Sequence, residues 1–102
     1  MQSLKHYIQS SYSLKAATGY LSIINLYIGY MQEKTITASY TNVVEYIAHL
    51  RNKKLHPKSL RNHLFAIKIY YRWLVETGQR KNHPCHSLQL KDKINKSIAI
   101  ED

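Results

Sequence analysis

A chain of 102 residues with 44% hydrophobic content is long enough for one compact domain and too short for two. Three glycines and two prolines are too few to punctuate a sheet, so the composition favours an all-α domain. The net charge of +9 points to a polyanionic partner. No run approaches a membrane span, because the most apolar stretch, 23–31, is interrupted by Asn25 and Gly29.

In chain order, the pattern predicts a compact bundle of four to five helices. Met1 to Ser11 reads as a short lead-in helix with Leu4, Tyr7 and Ile8 on one side. Ser13 is positioned to cap the next helix, which is expected to run to about Glu33 with Tyr20, Ile24, Tyr27, Ile28 and Met31 on its apolar side. Gly19 and Gly29 lie inside it, and each weakens it by about 1 kcal/mol relative to Ala. Thr35 to Tyr40 is β-branched and polar and reads as an extended loop. Thr41 or Asn42 then caps the following helix, with Glu45 completing a capping box. Its buried stripe is Val43, Tyr46, Ile47 and Leu50, and it ends at Asn52-Lys53-Lys54.

The longest helix starts at His56-Pro57, where a proline without an N–H is tolerated in the first turn. Leu60, Leu64, Ile67, Tyr71 and Leu74 repeat at intervals of four and three, and burying each contributes roughly 1.5–3 kcal/mol. Gly78 is placed to close it in the left-handed conformation. A turn at Lys81-Asn82-His83-Pro84 is expected to lead into a short last helix with Leu88 and Leu90 packing back. Residues 1–90 form the expected domain, and 91–102 read as a linker or tail.

The charge is concentrated. Between Arg51 and Lys81 there are nine Lys or Arg residues and a single acid, Glu76. On the long helix Lys58, Arg61, Phe65, Lys68 and Arg72 share a ridge, with Ser59 and Asn62 beside it. A solvated helix face normally mixes Glu with Lys, and no acid interrupts this ridge. Long cations reach phosphates, and Asn and Arg can read base edges, so the ridge is a candidate duplex-DNA face. Phe65 is read as a core-rim residue. On the earlier helix Lys15, Thr18, Ser22 and Asn25 make a small polar face that would let a backbone approach closely.

The remaining chemistry is sparse. Six histidines are scattered, and His83-Pro84-Cys85-His86 lacks the second ligand pair of a structural zinc site, so no metal is expected. A single cysteine, Cys85, excludes an internal disulfide and fits a reducing compartment. The tyrosines fall on apolar stripes, as core residues do. No glycine-rich phosphate loop or paired-carboxylate pattern is present, so neither cofactor nor small-molecule substrate is expected, and a soluble cytoplasmic protein that is not by itself an enzyme is the reading.

Several of these segments together resemble the core-binding domain of the tyrosine recombinases, the phage-integrase family. The Tyr20–Ile24–Tyr27–Met31 pattern resembles its first long helix, and Asn42 to Leu50 its second. The clearest match is Leu55-His56-Pro57-Lys58-Ser59-Leu60-Arg61-Asn62-His63-Leu64, then Ala66-Ile67-Lys68 and Tyr70-Tyr71-Arg72-Trp73-Leu74. Asn82-His83-Pro84 with Leu88 and Leu90 is similar to the family's Asn-Pro turn, with His83 interrupting the dipeptide. The resemblance implies a SAM-like helical fold that forms half of a clamp on duplex DNA, partnered by a catalytic half of the same protein and by other protomers. It implies DNA contacts from Lys15, Thr18, Ser22, Lys58, Ser59, Arg61, Asn62 and Lys68, to which the basic ridge adds Arg72. The family's catalytic His-x-x-Arg motif is absent here. A helix-turn-helix regulator is the alternative within DNA binding, and a helical interaction or oligomerisation module the alternative outside it.

Overall fold

The computed structural model describes residues 3–92, and among them are five helices and no strand. Helix α1 spans Leu4–Ser11. It starts where Ser3 Oγ accepts the His6 amide at 3.1 Å, a cap without the glutamate three residues on that would have marked it in sequence. Ile8 is buried, and Leu4 and Tyr7 pack at the edge of the core.

Helix α2 spans Leu14–Met31, and Ser13 caps it as expected, accepting from Ala16 N–H at 3.2 Å. It stops short of Glu33 because Gln32 turns to a φ of 55° and donates to the Ile28 carbonyl. The expected extended loop from Thr35 to Tyr40 is instead opened by a single helical turn, α3, Lys34–Thr37. Thr35 is 4% exposed, and burying its side chain outweighs the weak helix penalty of β-branching.

Helix α4 spans Tyr40–Asn52. Its cap is Ser39, not Thr41 or Asn42, and Glu45 takes no part. Ser39 Oγ accepts from the Asn42 amide at 3.2 Å, while Asn42 Oδ1 accepts from the Ser39 amide at 3.0 Å. Asn42 thus plays the third-position part that the sequence pattern assigned to Glu45. The buried stripe is Val43, Tyr46, Ile47 and Leu50, as predicted.

Helix α5, Pro57–Glu76, is the centre of the fold. His56 Nδ1 accepts from the Lys58 amide at 3.0 Å, and Pro57 occupies the first turn. All five predicted core positions are buried, together with Ala66, Ile69 and Tyr70, because α1, α2 and α4 all pack on this helix. At its end Gly78 adopts φ 77°; Gln79 N–H bonds the Leu74 carbonyl at 2.9 Å and Gly78 N–H that of Val75 at 3.1 Å. This pair of bonds is the Schellman arrangement that a left-handed glycine permits.

No helix follows among the described residues. Residues 84–87 form a turn, and the chain then runs without regular secondary structure to residue 92. His83 explains the change. Its Nδ1 accepts from Cys85 N–H at 3.2 Å, which leaves Nε2–H to donate to the Lys68 carbonyl at 3.0 Å. Both ring nitrogens are therefore used to pin the turn to α5, and burial pushes the imidazole below its ordinary pKa. Cys85 is fully buried, its thiol pushed up to about 12 by burial. Leu88 is buried and Leu90 packs at the rim, as expected.

At the core, Tyr27 of α2 and Tyr71 of α5 are both fully buried, with their hydroxyls 2.6 Å apart. Burial pushes both phenols up, Tyr71 to about 12. Tyr46 packs edge-on to Tyr27 at 4.9 Å. The hydroxyls satisfy each other, so removing one leaves the other buried alone. Tyr27→Phe or Tyr71→Phe should each cost about 1–3 kcal/mol in urea unfolding. The double Phe variant should lose clearly less than the sum, and strict additivity would show that the two hydroxyls do not depend on each other.

Candidate nucleic-acid interface

The nine candidate contact residues do not form one continuous ridge. The structure divides them into an open group and a covered group. Lys15, Thr18 and Ser22 are exposed at three-and-four spacing on α2, and Lys58, Ser59 and Asn62 are exposed on the first turns of α5. Asn62 joins the two helices. It lines a shallow hollow of about 400 Å³ with Ser13, Lys15, Ala16, Gly19 and Tyr20, and a second of about 340 Å³ with Lys58 and Ser59. Among the described residues, no acid lines either hollow. A Cβ added at Gly19 would meet no atom within 4 Å, so this glycine, with its helix penalty, answers no packing need inside the domain. Thr18 Oγ1 donates to the Leu14 carbonyl at 2.9 Å and keeps its lone pairs outward.

The covered group is Arg61 and Lys68. Both are half-buried. Arg61 donates to the Asp92 carbonyl, and Lys68 Nζ donates to the Leu88 carbonyl at 2.6 Å. These two cations hold segment 88–92 against α5, and between them lies a groove of about 290 Å³ lined by Leu64, Phe65, Leu88, Gln89 and Leu90 as well. Periodicity put them on an outward face but could not show that another part of the chain returns to lie there. Arg72 is exposed nearer the end of α5, close enough to Tyr7 and His83 to influence both. Phe65 packs against Tyr20 at 5.4 Å and Tyr12 at 6.2 Å, yet remains 41% exposed between the open hollow and the covered groove.

Two further cations of the basic segment act inside the domain. Arg80 donates to the carbonyls of Ile36 at 2.9 Å, Ala38 at 2.6 Å and Asn82 at 2.8 Å, and its guanidinium sits 5.1 Å from the Tyr71 ring centre. It ties the α3–α4 connection to the chain after α5. Arg51 forms a two-point ion pair with Asp92, Nε to Oδ2 at 2.7 Å and Nη2 to Oδ1 at 2.9 Å. Hydrogen bonds from Arg51 hold the Asp92 carboxyl below its ordinary range. Neither role was legible in sequence, because the partner atoms lie 41 to 44 residues away or, for Asn82, on a backbone carbonyl. Lys53, Lys54, Lys58, Arg72 and Lys81 are exposed.

The arrangement is a small helical domain in which α2 and α5 share a face carrying Lys15 and Lys58, with no acid among the described residues lining its hollows. A profile described as phage integrase, N-terminal SAM-like domain, matches residues 2–78. The chain belongs to this family of tyrosine recombinase N-terminal domains. No curated protein and no solved structure matches it. No helix among the described residues is long and apolar enough to cross a membrane.

The assignment of Arg80 to the fold rather than to the interface is testable. Arg80→Ala removes an exposed hydrogen bond to the Ile36 carbonyl and a partly buried one to the Ala38 carbonyl, and should cost about 0.5–1.5 kcal/mol in chemical denaturation. A loss below about 0.3 kcal/mol would show that these bonds add nothing to stability.

Proposed function

We propose that the domain binds duplex DNA through the face shared by α2 and the first turns of α5, as the core-binding half of a recombinase clamp. The observation that carries this reading is the convergence of Lys15, Lys58, Ser59 and Asn62 around two open hollows that no acid among the described residues lines. Lys15 and Lys58 would neutralise phosphates on either side of a groove, each releasing condensed counterions. Ser59 and Asn62 have hydroxyl and amide groups suited to sugar–phosphate or base-edge contacts. The partial positive charge at the start of α5 adds to the attraction. The bare backbone at Gly19, with Thr18 and Ser22 beside it, gives room for a phosphodiester chain to come close to α2.

Arg72 lies at the far end of the same helix, where it would extend the contact along the duplex. Arg61 and Lys68 enter this reading only after segment 88–92 moves away. The His-x-x-Arg pattern of recombinase catalysis is not in this sequence, so strand cleavage would belong to a catalytic domain acting with this one. That domain and other recombinase protomers on the same DNA are the proposed protein partners.

Fluorescence anisotropy of a labelled random duplex, titrated across a salt series, tests the interface. The wild-type chain should bind at low salt with a steep log–log decline. Lys15→Ala with Lys58→Ala should make that slope shallower by about 1.8, at about 0.9 per lost phosphate contact, with unchanged helicity. An unchanged slope in the double variant would remove this face from the interface. Absence of wild-type binding at low salt, in a chain folded by circular dichroism, would overturn the DNA reading.

A further inference from the structure

Segment 88–92 brings an acid to the most basic corner of the domain. The sequence has no Asp or Glu from position 46 to position 75, and the end of α4 and the start of α5 carry Arg51, Lys53, Lys54, Lys58 and Arg61. Asp92 is delivered to that corner from outside it. Two guanidinium groups on different helices converge on this one residue: Arg51 takes both carboxylate oxygens, and Arg61 takes the backbone carbonyl. The Arg fork that donates to both carboxylate oxygens of Asp92 would present the same donors to a phosphodiester's two free oxygens.

The segment is held unevenly. Leu88 is 7% exposed and packs into the core, and the Lys68 bond to its carbonyl fixes it there. At the Asp92 end the hold is polar and solvent-facing, with the Arg51 side chain 45% exposed and that of Asp92 21% exposed. The two-point pair is a strong one of its kind, but it stands open to solvent, so another anion can reach Arg51 and compete for the same donors. The geometry therefore describes a strap with an apolar anchor at Leu88 and a releasable acidic tip at Asp92.

We propose that Arg51 and Arg61 form a phosphate site occupied internally by Asp92, so that strap docking and duplex binding compete. This rests on the DNA reading above and adds its regulation. In the free protein Asp92 masks two cations beside Lys58. A phosphate of bound DNA displaces it, and the tip of the strap lifts from α5 while Leu88 stays seated. The observed covering of Arg61 is then the closed state of a site, not its exclusion from the interface.

The test uses the full chain and a labelled duplex at fixed low salt. Asp92→Asn keeps the shape and removes the competing charge; Glu45→Gln, exposed on α4 in a different hollow, makes the same change in net charge. Asp92→Asn should bind about two- to fivefold more tightly than wild type, and Glu45→Gln should gain less. Arg51→Ala should weaken binding more in the Asp92→Asn background than in the wild-type background, because only there is Arg51 uncovered. Equal gains from Asp92→Asn and Glu45→Gln, or an equal effect of Arg51→Ala in both backgrounds, would overturn the competition while leaving DNA binding intact. Loss of binding by wild type and Asp92→Asn alike would overturn both.

Discussion

Helix α5 is packed on by three other helices, and the rest of the structure follows from that. Its inner sides are taken by α2 through the Tyr27–Tyr71 hydroxyl pair, by α4 and by α1. Eight of its residues are buried in consequence. The two buried phenols fix how α2 sits on α5, since their hydroxyls are a buried polar pair that must meet. That crossing sets Lys15 and Gly19 of α2 beside Asn62 of α5. The candidate interface is therefore a by-product of core packing: it exists where two helices locked by an internal hydrogen bond leave their polar edges side by side.

Positive charge in such a domain has two uses, and the structure separates them. Arg80 and Arg51 tie distant segments together through carbonyls and a carboxylate, and Arg61 and Lys68 hold the strap. Lys15, Lys58 and Arg72 face solvent. Arginine suits the first use because its planar fork satisfies several acceptors at once, as Arg80 does with three carbonyls. Lys15 and Lys58 suit the second as mobile point charges, while Lys68 serves the first and Arg72 the second. The net charge of +9 alone overstates the surface available to a polyanion.

The fold was largely legible from residue spacing. The stripes Val43–Tyr46–Ile47–Leu50 and Leu60–Leu64–Ile67–Tyr71–Leu74 are buried as predicted, because burial at helical period is a local property. Boundaries were less legible where two capping residues competed. Ser39 prevails over Thr41 and Asn42 because Asn42 can return its hydrogen bond. The short helix expected after Pro84 fails because His83 commits both ring nitrogens to the turn. The polar face of α2 and the start of α5 could be read from periodicity. The covering of Arg61 and Lys68 could not, since nothing local in α5 reveals that Leu88 and Asp92 return to it.

On this reading a duplex meets the face where Lys15, Gly19 and Asn62 come together. Amide chemical-shift mapping of the isotope-labelled chain, titrated with a short duplex at low salt, addresses it most directly. The account predicts shifts concentrated at residues 15–22 and 58–62, with the amides around Tyr27, Tyr71 and Arg80 little changed. Shifts centred instead on the exposed Leu26 and Tyr30, or none in a folded chain, would contradict it.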